Sequence, residues 1–261
     1  MLYDSEMEIL LECFAQKSDN VLVLSGNGNE DDVIYKESIK IYETFLNSSS
    51  WLDNSANTNY PPDIINDELK VFFEVMRFDD HSNNGKDNPN RARASKMEEE
   101  LYERMPFLKQ KRVFINTVTE LPTDEDHSYQ KYLNGFKRTV EKHLRKIPNY
   151  SSNYPNYKKG FLVFDESSGL YYNLINRLRK EELEHRTMPQ VTPHLFFLDK
   201  FFVEAFIDSD LDYLIWYAPY KIDPNNLKLK MPKVVFYDIK NFNCKKLFIE
   251  YEESKMISCE V

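Results

Sequence analysis

The sequence predicts an α/β fold built on a mixed central sheet. Helix-period segments alternate with short apolar runs along the 261 residues. Two of those runs, between residues 61 and 80, carry the alternation and turn chemistry of a β-hairpin. The order from residue 33 to residue 165 is helix, strand, strand, strand, helix, strand, and a C-terminal α/β extension follows.

Residues 2–16 place Leu2, Met7, Leu10, Leu11 and Phe14 at helical spacing. Val21 to Leu24 is a short apolar strand, and Ser25-Gly26-Asn27-Gly28-Asn29 is a turn-rich loop. Val33 to Leu46 is a second helix with Ile34, Ile41 and Phe45 on one side; the polar residues 47–60 read as loop. Pro61-Pro62-Asp63 opens the hairpin, whose strands are 62–66 and 69–78 about the turn Asn66-Asp67-Glu68. Residues 79–90 read as exposed loop, Arg91 to Met105 as a charged helix, Arg112 to Val118 as a strand and His127 to Ile147 as a long helix. Residues 148–158 read as a linker and Phe161 to Phe164 as a strand. Beyond them the pattern predicts helix at 174–186, strand at His194 to Leu198, helix at 199–207, and strands at Tyr213 to Tyr217, Val234 to Tyr237 and Leu247 to Tyr251. Residues 1–165 are the expected core with its N-terminal helix, and 166–261 an extension within the same domain or beside it.

Charged residues at 30% and hydrophobic residues at 41% are the balance of a soluble globular chain. No apolar run approaches the roughly 18–20 residues that span a bilayer, and the acidic start Met1 to Glu6 is unlike a secretory signal. Cys13, Cys244 and Cys259 are too scattered for a disulfide framework or a zinc cluster, so a cytoplasmic location is expected. A net charge of −9 argues against coating nucleic acid through the overall field, while leaving room for a local basic groove.

Within the hairpin, Asp63 precedes Glu74 by eleven residues. A hairpin brings two such carboxylates to one end of adjacent strands, where hard oxygen ligands suit Mg²⁺. Pro62-Asp63 and Glu74-Val75-Met76, within that element order, resemble the PD-(D/E)XK (restriction-endonuclease-like) nuclease superfamily over residues 33–165. The resemblance implies an αβββαβ core and Mg²⁺ or Mn²⁺ held by Asp63, Glu74 and the Val75 carbonyl, with Glu37 as a further carboxylate. It also implies a lysine that orients the attacking water. Met76 stands in that lysine's place, and a thioether cannot do its work; Lys70 or Lys131 is the expected substitute. Lys137, Arg138 and Lys142, with Arg145 and Lys146, form a basic cluster on the long helix that suits phosphate contacts or, equally, a solvated face.

Asp238-Ile239-Lys240 with Asp212 is a rival pair, but too little chain follows it to complete the core. Asp79-Asp80-His81 reads as a solvated turn, and His127, His143, His185 and His194 lack metal-ligand spacing. Two functions follow as expectations. One is a metal-dependent nuclease acting on DNA or RNA phosphodiesters. The other is a non-catalytic protein on the same fold, working in defence, anti-defence or immunity through protein contacts.

Overall fold

The computed structural model describes residues 5–55, 62–78, 104, 128–167, 170–175, 191–221 and 231–258. The predicted helix at 91–105 (Arg104 apart), the strand at 112–118, Asp79-Asp80-His81, His127, His185 and most of the helix at 174–186 lie outside them.

A seven-stranded mixed sheet runs through the molecule. Its strands are β1 (Val21–Gly26), β2 (Trp51–Asp53), β3 (Ile64–Asn66), β4 (Val71–Phe78), β5 (Lys158–Asp165), β8 (Tyr213–Tyr217) and β9 (Val234–Phe242), in the order β1-β9-β8-β5-β4-β3-β2. β2, β3 and β4 form an antiparallel meander. β4, β5 and β8 are parallel, β9 is antiparallel to β8, and β1 is parallel to β9. A small sheet joins β6 (Tyr171–Leu174), β7 (Val191–Pro193) and β10 (Met256–Ser258).

Both faces of the large sheet are covered, which is why its central strands read as nearly continuous apolar runs. Successive side chains of β4 point to opposite faces. Phe73 and Val75 pack toward α1 (Glu6–Phe14) and α2 (Val33–Asn47), with Ile9, Leu10, Tyr42 and Phe45. Phe72, Met76 and Phe78 pack toward α3 (Tyr129–Leu144) and α5 (Lys200–Ile207), with Phe136, Val140, Phe202 and Phe206. α3 begins where Ser128 caps the Lys131 amide at 3.2 Å. It buries Tyr129, Tyr132, Leu133, Phe136 and Val140 on one stripe. It ends before Pro148, which has no N–H to offer the Leu144 carbonyl. A further helix, α4 (Ile147–Asn153), carries that proline in its first turn, where no N–H is needed.

Several elements differ from the sequence expectation. The meander's first strand is Trp51–Asp53, inside a segment read as loop. Residues 148–153, read as linker, are helical. The strand expected at His194 to Leu198 lies just before it, and Phe196–Leu198 is a 3₁₀ turn. The strand expected at Leu247 to Tyr251 is reduced to one bridge between Ile249 and Asp199. Residues 171–174 form a strand where the predicted helix was to begin. Among the described residues no helix is long and apolar enough to cross a membrane.

Candidate functional site

Ile64 lies opposite Phe73 in the β3–β4 ladder, so one further step in the same register sets Asp63 opposite Glu74. Glu74 sits in the middle of β4, whose other side chains are apolar except Arg77, and is fully buried. A carboxylate there is tolerated only if it is paired, and the pairing comes from the end of α3 and the start of α4. His143 Nδ1 and Lys146 Nζ each lie 2.5 Å from Glu74 Oε1, and the Tyr150 hydroxyl donates to Oε2 at 2.9 Å. His143 lies in the last turn of α3, Lys146 is the residue before α4, and Tyr150 lies one turn into α4. Lys146 remains partly exposed at 37%, so its ammonium joins solvent to the buried carboxylate.

Asp63 is half-buried at the mouth of the same hairpin. The Val75 amide donates to its Oδ2 at 2.7 Å. In an extended strand the N–H and C=O of one residue point to the same edge, so the Val75 carbonyl also faces the Asp63 side. Burial, and then the Glu74 charge, push the Asp63 carboxyl up to about 7 against the opposing pull of the Val75 amide and Lys146. Burial also pushes Glu74 up, but the hydrogen bonds and charges of His143 and Lys146 outweigh it and leave Glu74 below its ordinary value. Burial and the Glu74 carboxylate raise the Tyr150 phenol, which stays protonated and donating.

The other expected residues lie elsewhere. Lys70 is in the hairpin turn with φ 51°, so the strand's period-two alternation does not reach it. Its Nζ is 3.3 Å from the Tyr157 hydroxyl. Lys131 is exposed in the first turn of α3, twelve residues before His143, a separation of roughly 18 Å along a helix. Glu37 is exposed on α2, which packs on the opposite face of the sheet. Met76 is fully buried in the core beneath α3. Lys137, Arg138 and Lys142 are exposed along α3, with Lys137 Nζ 5.1 Å from the Phe201 ring centroid. In the rival pair, Asp238 accepts from Ser38 at 2.7 Å and Asn241 at 2.9 Å, Asp212 holds Lys158 at 3.2 Å, and Lys240 turns to Asp210 at 3.2 Å. Asp238 is thus held by neutral donors, while Asp212 and Lys240 form ion pairs with other residues.

Sequence reasoning missed the trio on Glu74. The available signals were a lone glutamate inside the run Val71 to Phe78 and the spacing of His143, Lys146 and Tyr150. Reading the helix as ended at Ile147 and residues 148–158 as linker concealed the second signal.

Among the described residues no three His, Cys, Asp or Glu side chains are grouped to hold a metal ion. The donors at hand are two carboxylates and a backbone carbonyl, all oxygen. That set suits Mg²⁺, which takes one or two carboxylates and retains waters. Comparison with protein-family models, with curated proteins and with solved structures finds no match.

Proposed function

We propose that the chain is a metal-dependent nuclease, with Asp63 and Glu74 as its carboxylates and Lys146 as the cation that Met76 does not supply. The observation that carries this reading is the contact of Lys146 Nζ with a fully buried glutamate directly across the hairpin from Asp63. The β2-β3-β4 meander, the α3 crossover and parallel β5 support the restriction-endonuclease-like core, with Asp63 just before its second strand and Glu74 on its third.

Asp63, Glu74 and the Val75 carbonyl would hold Mg²⁺ or Mn²⁺, which would polarise the phosphodiester and acidify a bound water. The chain's own groups have distinct tasks. Asp63 must ionise to serve as a ligand, Lys146 neutralises charge that develops on phosphate and orients the nucleophile, and Tyr150 fixes the Glu74 rotamer. Lys137, Arg138 and Lys142 would take flanking phosphates.

The test is cleavage of mixed DNA and RNA with Mg²⁺ or Mn²⁺. Asp63→Asn, Glu74→Gln and Lys146→Met should each lower the rate by about 10²-fold or more. Met76→Lys in the Lys146→Met background should recover part of it, because position 76 lies on the face of Glu74, two residues along β4. Thermal melts separate lost chemistry from lost fold. A wild type that cleaves neither substrate defeats the catalytic reading.

The second reading is a non-catalytic binding protein of defence, anti-defence or immunity type. It is favoured by one feature: three protein donors already satisfy both oxygens of Glu74. Under it, neither Mg²⁺ nor Mn²⁺ shifts the melting temperature of the wild type.

A further inference from the structure

We propose that Lys221 and Asp165 become joined by an isopeptide bond that the folded chain makes unaided. Asp165 closes β5, and Lys221 follows β8, the parallel neighbour of β5, so the two meet at the carboxyl edge of the sheet. Nζ is 3.6 Å from Asp165 Oδ2, and the lysine and aspartate side chains are 3% and 0% exposed. The ammonium lies 5.4 Å from the Tyr132 ring centroid and 5.9 Å from that of Phe196. Water is therefore kept from both reacting groups. Their fixed approach supplies the proximity that an amine and a carboxyl lack in solution.

The surrounding donors are arranged for addition at Cγ. The Ser167 amide donates to Asp165 Oδ1 at 3.1 Å, while Tyr132 OH and Trp216 Nε1 donate to Oδ2 at 3.3 and 3.4 Å. Ser167 Oγ bridges the reactants: it accepts from Lys221 Nζ at 2.5 Å and donates to Asp165 Oδ1. One ammonium proton passes through this hydroxyl to Oδ1, giving a neutral amine and a neutral acid. The Nζ lone pair then attacks Cγ, and the negative charge that gathers on Oδ2 is held by Tyr132 and Trp216. A second nitrogen proton follows the Ser167 route to Oδ1, the Cγ–Oδ1 bond breaks, and one water leaves. The products are an Nζ–Cγ amide and that water, with no change of oxidation state. Two buried charges, costly to keep from water, are replaced by one neutral group.

The experiment is intact-mass measurement of the purified full chain after denaturation. The wild type should be lighter than its sequence mass by one water, and proteolysis should release a branched peptide joining Asp165 to Lys221. Lys221→Met and Asp165→Ala should have their full sequence masses. Ser167→Ala, if its melt shows it folded, should carry little or no link. A wild type at full sequence mass after prolonged incubation overturns the proposal, and so does a water loss that persists in Lys221→Met. Should either variant fail to fold, the presence or absence of the branched peptide in the wild type decides alone.

Discussion

Asp63 and Glu74 face one another, yet their responses to pH run in opposite directions. The Asp63 carboxyl rises from 3.8 to about 7 on folding. Below its unfolded value both states hold the proton. Between 3.8 and about 7 the unfolded chain ionises first, so stability falls as pH rises across that window. Glu74 is lowered from 4.5, so its contribution is complete above that value and is lost as pH falls through its folded value. Asp63→Asn should therefore flatten the decline in melting temperature between about pH 4 and pH 7, while leaving the loss at more acidic pH. Melts across that range check this, and an unchanged slope would place the titrating group elsewhere. Cleavage, if Asp63 must be ionised to act, should rise with pH through the same upper limit.

At the scale of elements, the close packing of β5 on β4 depends on Gly160. It lies opposite Phe73, and a Cβ there would come within 2.4 Å of the phenyl ring. Phe73 is buried among Phe45 and Trp51 and has little room to yield. Gly160→Ala should cost about 1–3 kcal/mol by overpacking, measured as a lower denaturant midpoint with an unchanged slope. An equal midpoint would mean that the ring moves freely. Elements of this kind were unevenly legible. The hairpin could be read because Val71 to Phe78 is long and apolar. Trp51–Asp53 could not, since three residues are too few to show a period and backbone pairing to β3 makes the strand. Residues 148–153 misled because Pro148 and its Asn, Ser and Tyr neighbours have linker composition, whereas a proline in the first helical turn is well tolerated.

For the whole molecule, the α/β class and mixed sheet were visible in the alternation of periods. Strand order was not, because pairing between distant segments leaves no local mark. Of the candidate site, the two carboxylates were legible as letters on a hairpin. Their partners were not, since Glu74 recruits side chains about seventy positions away, with His143 the nearest in sequence. The net charge of −9 sets a further expectation. Attraction to a polyanion must come from a local patch, so any nucleic-acid affinity should weaken steeply as salt rises. Arg138→Glu should weaken it further at low salt. Affinity indifferent to both changes would make the exposed flank of α3 a solvated surface only.

β1 is made more than two hundred residues before its parallel partner β9, which begins at Val234. During translation β1 must wait, and β5 waits for β8 in the same way. Such long-range pairing is slow to form and leaves strand edges open meanwhile. A chain stopped at residue 165 should therefore aggregate instead of folding as an independent core, which sedimentation of the fragment would reveal; a soluble, cooperatively melting fragment would show that the meander and α3 suffice. In the 261-residue chain, β8 and β9 supply the missing partners of β5 and β1, and the time a ribosome takes to deliver them sets how long the earlier strands need protection.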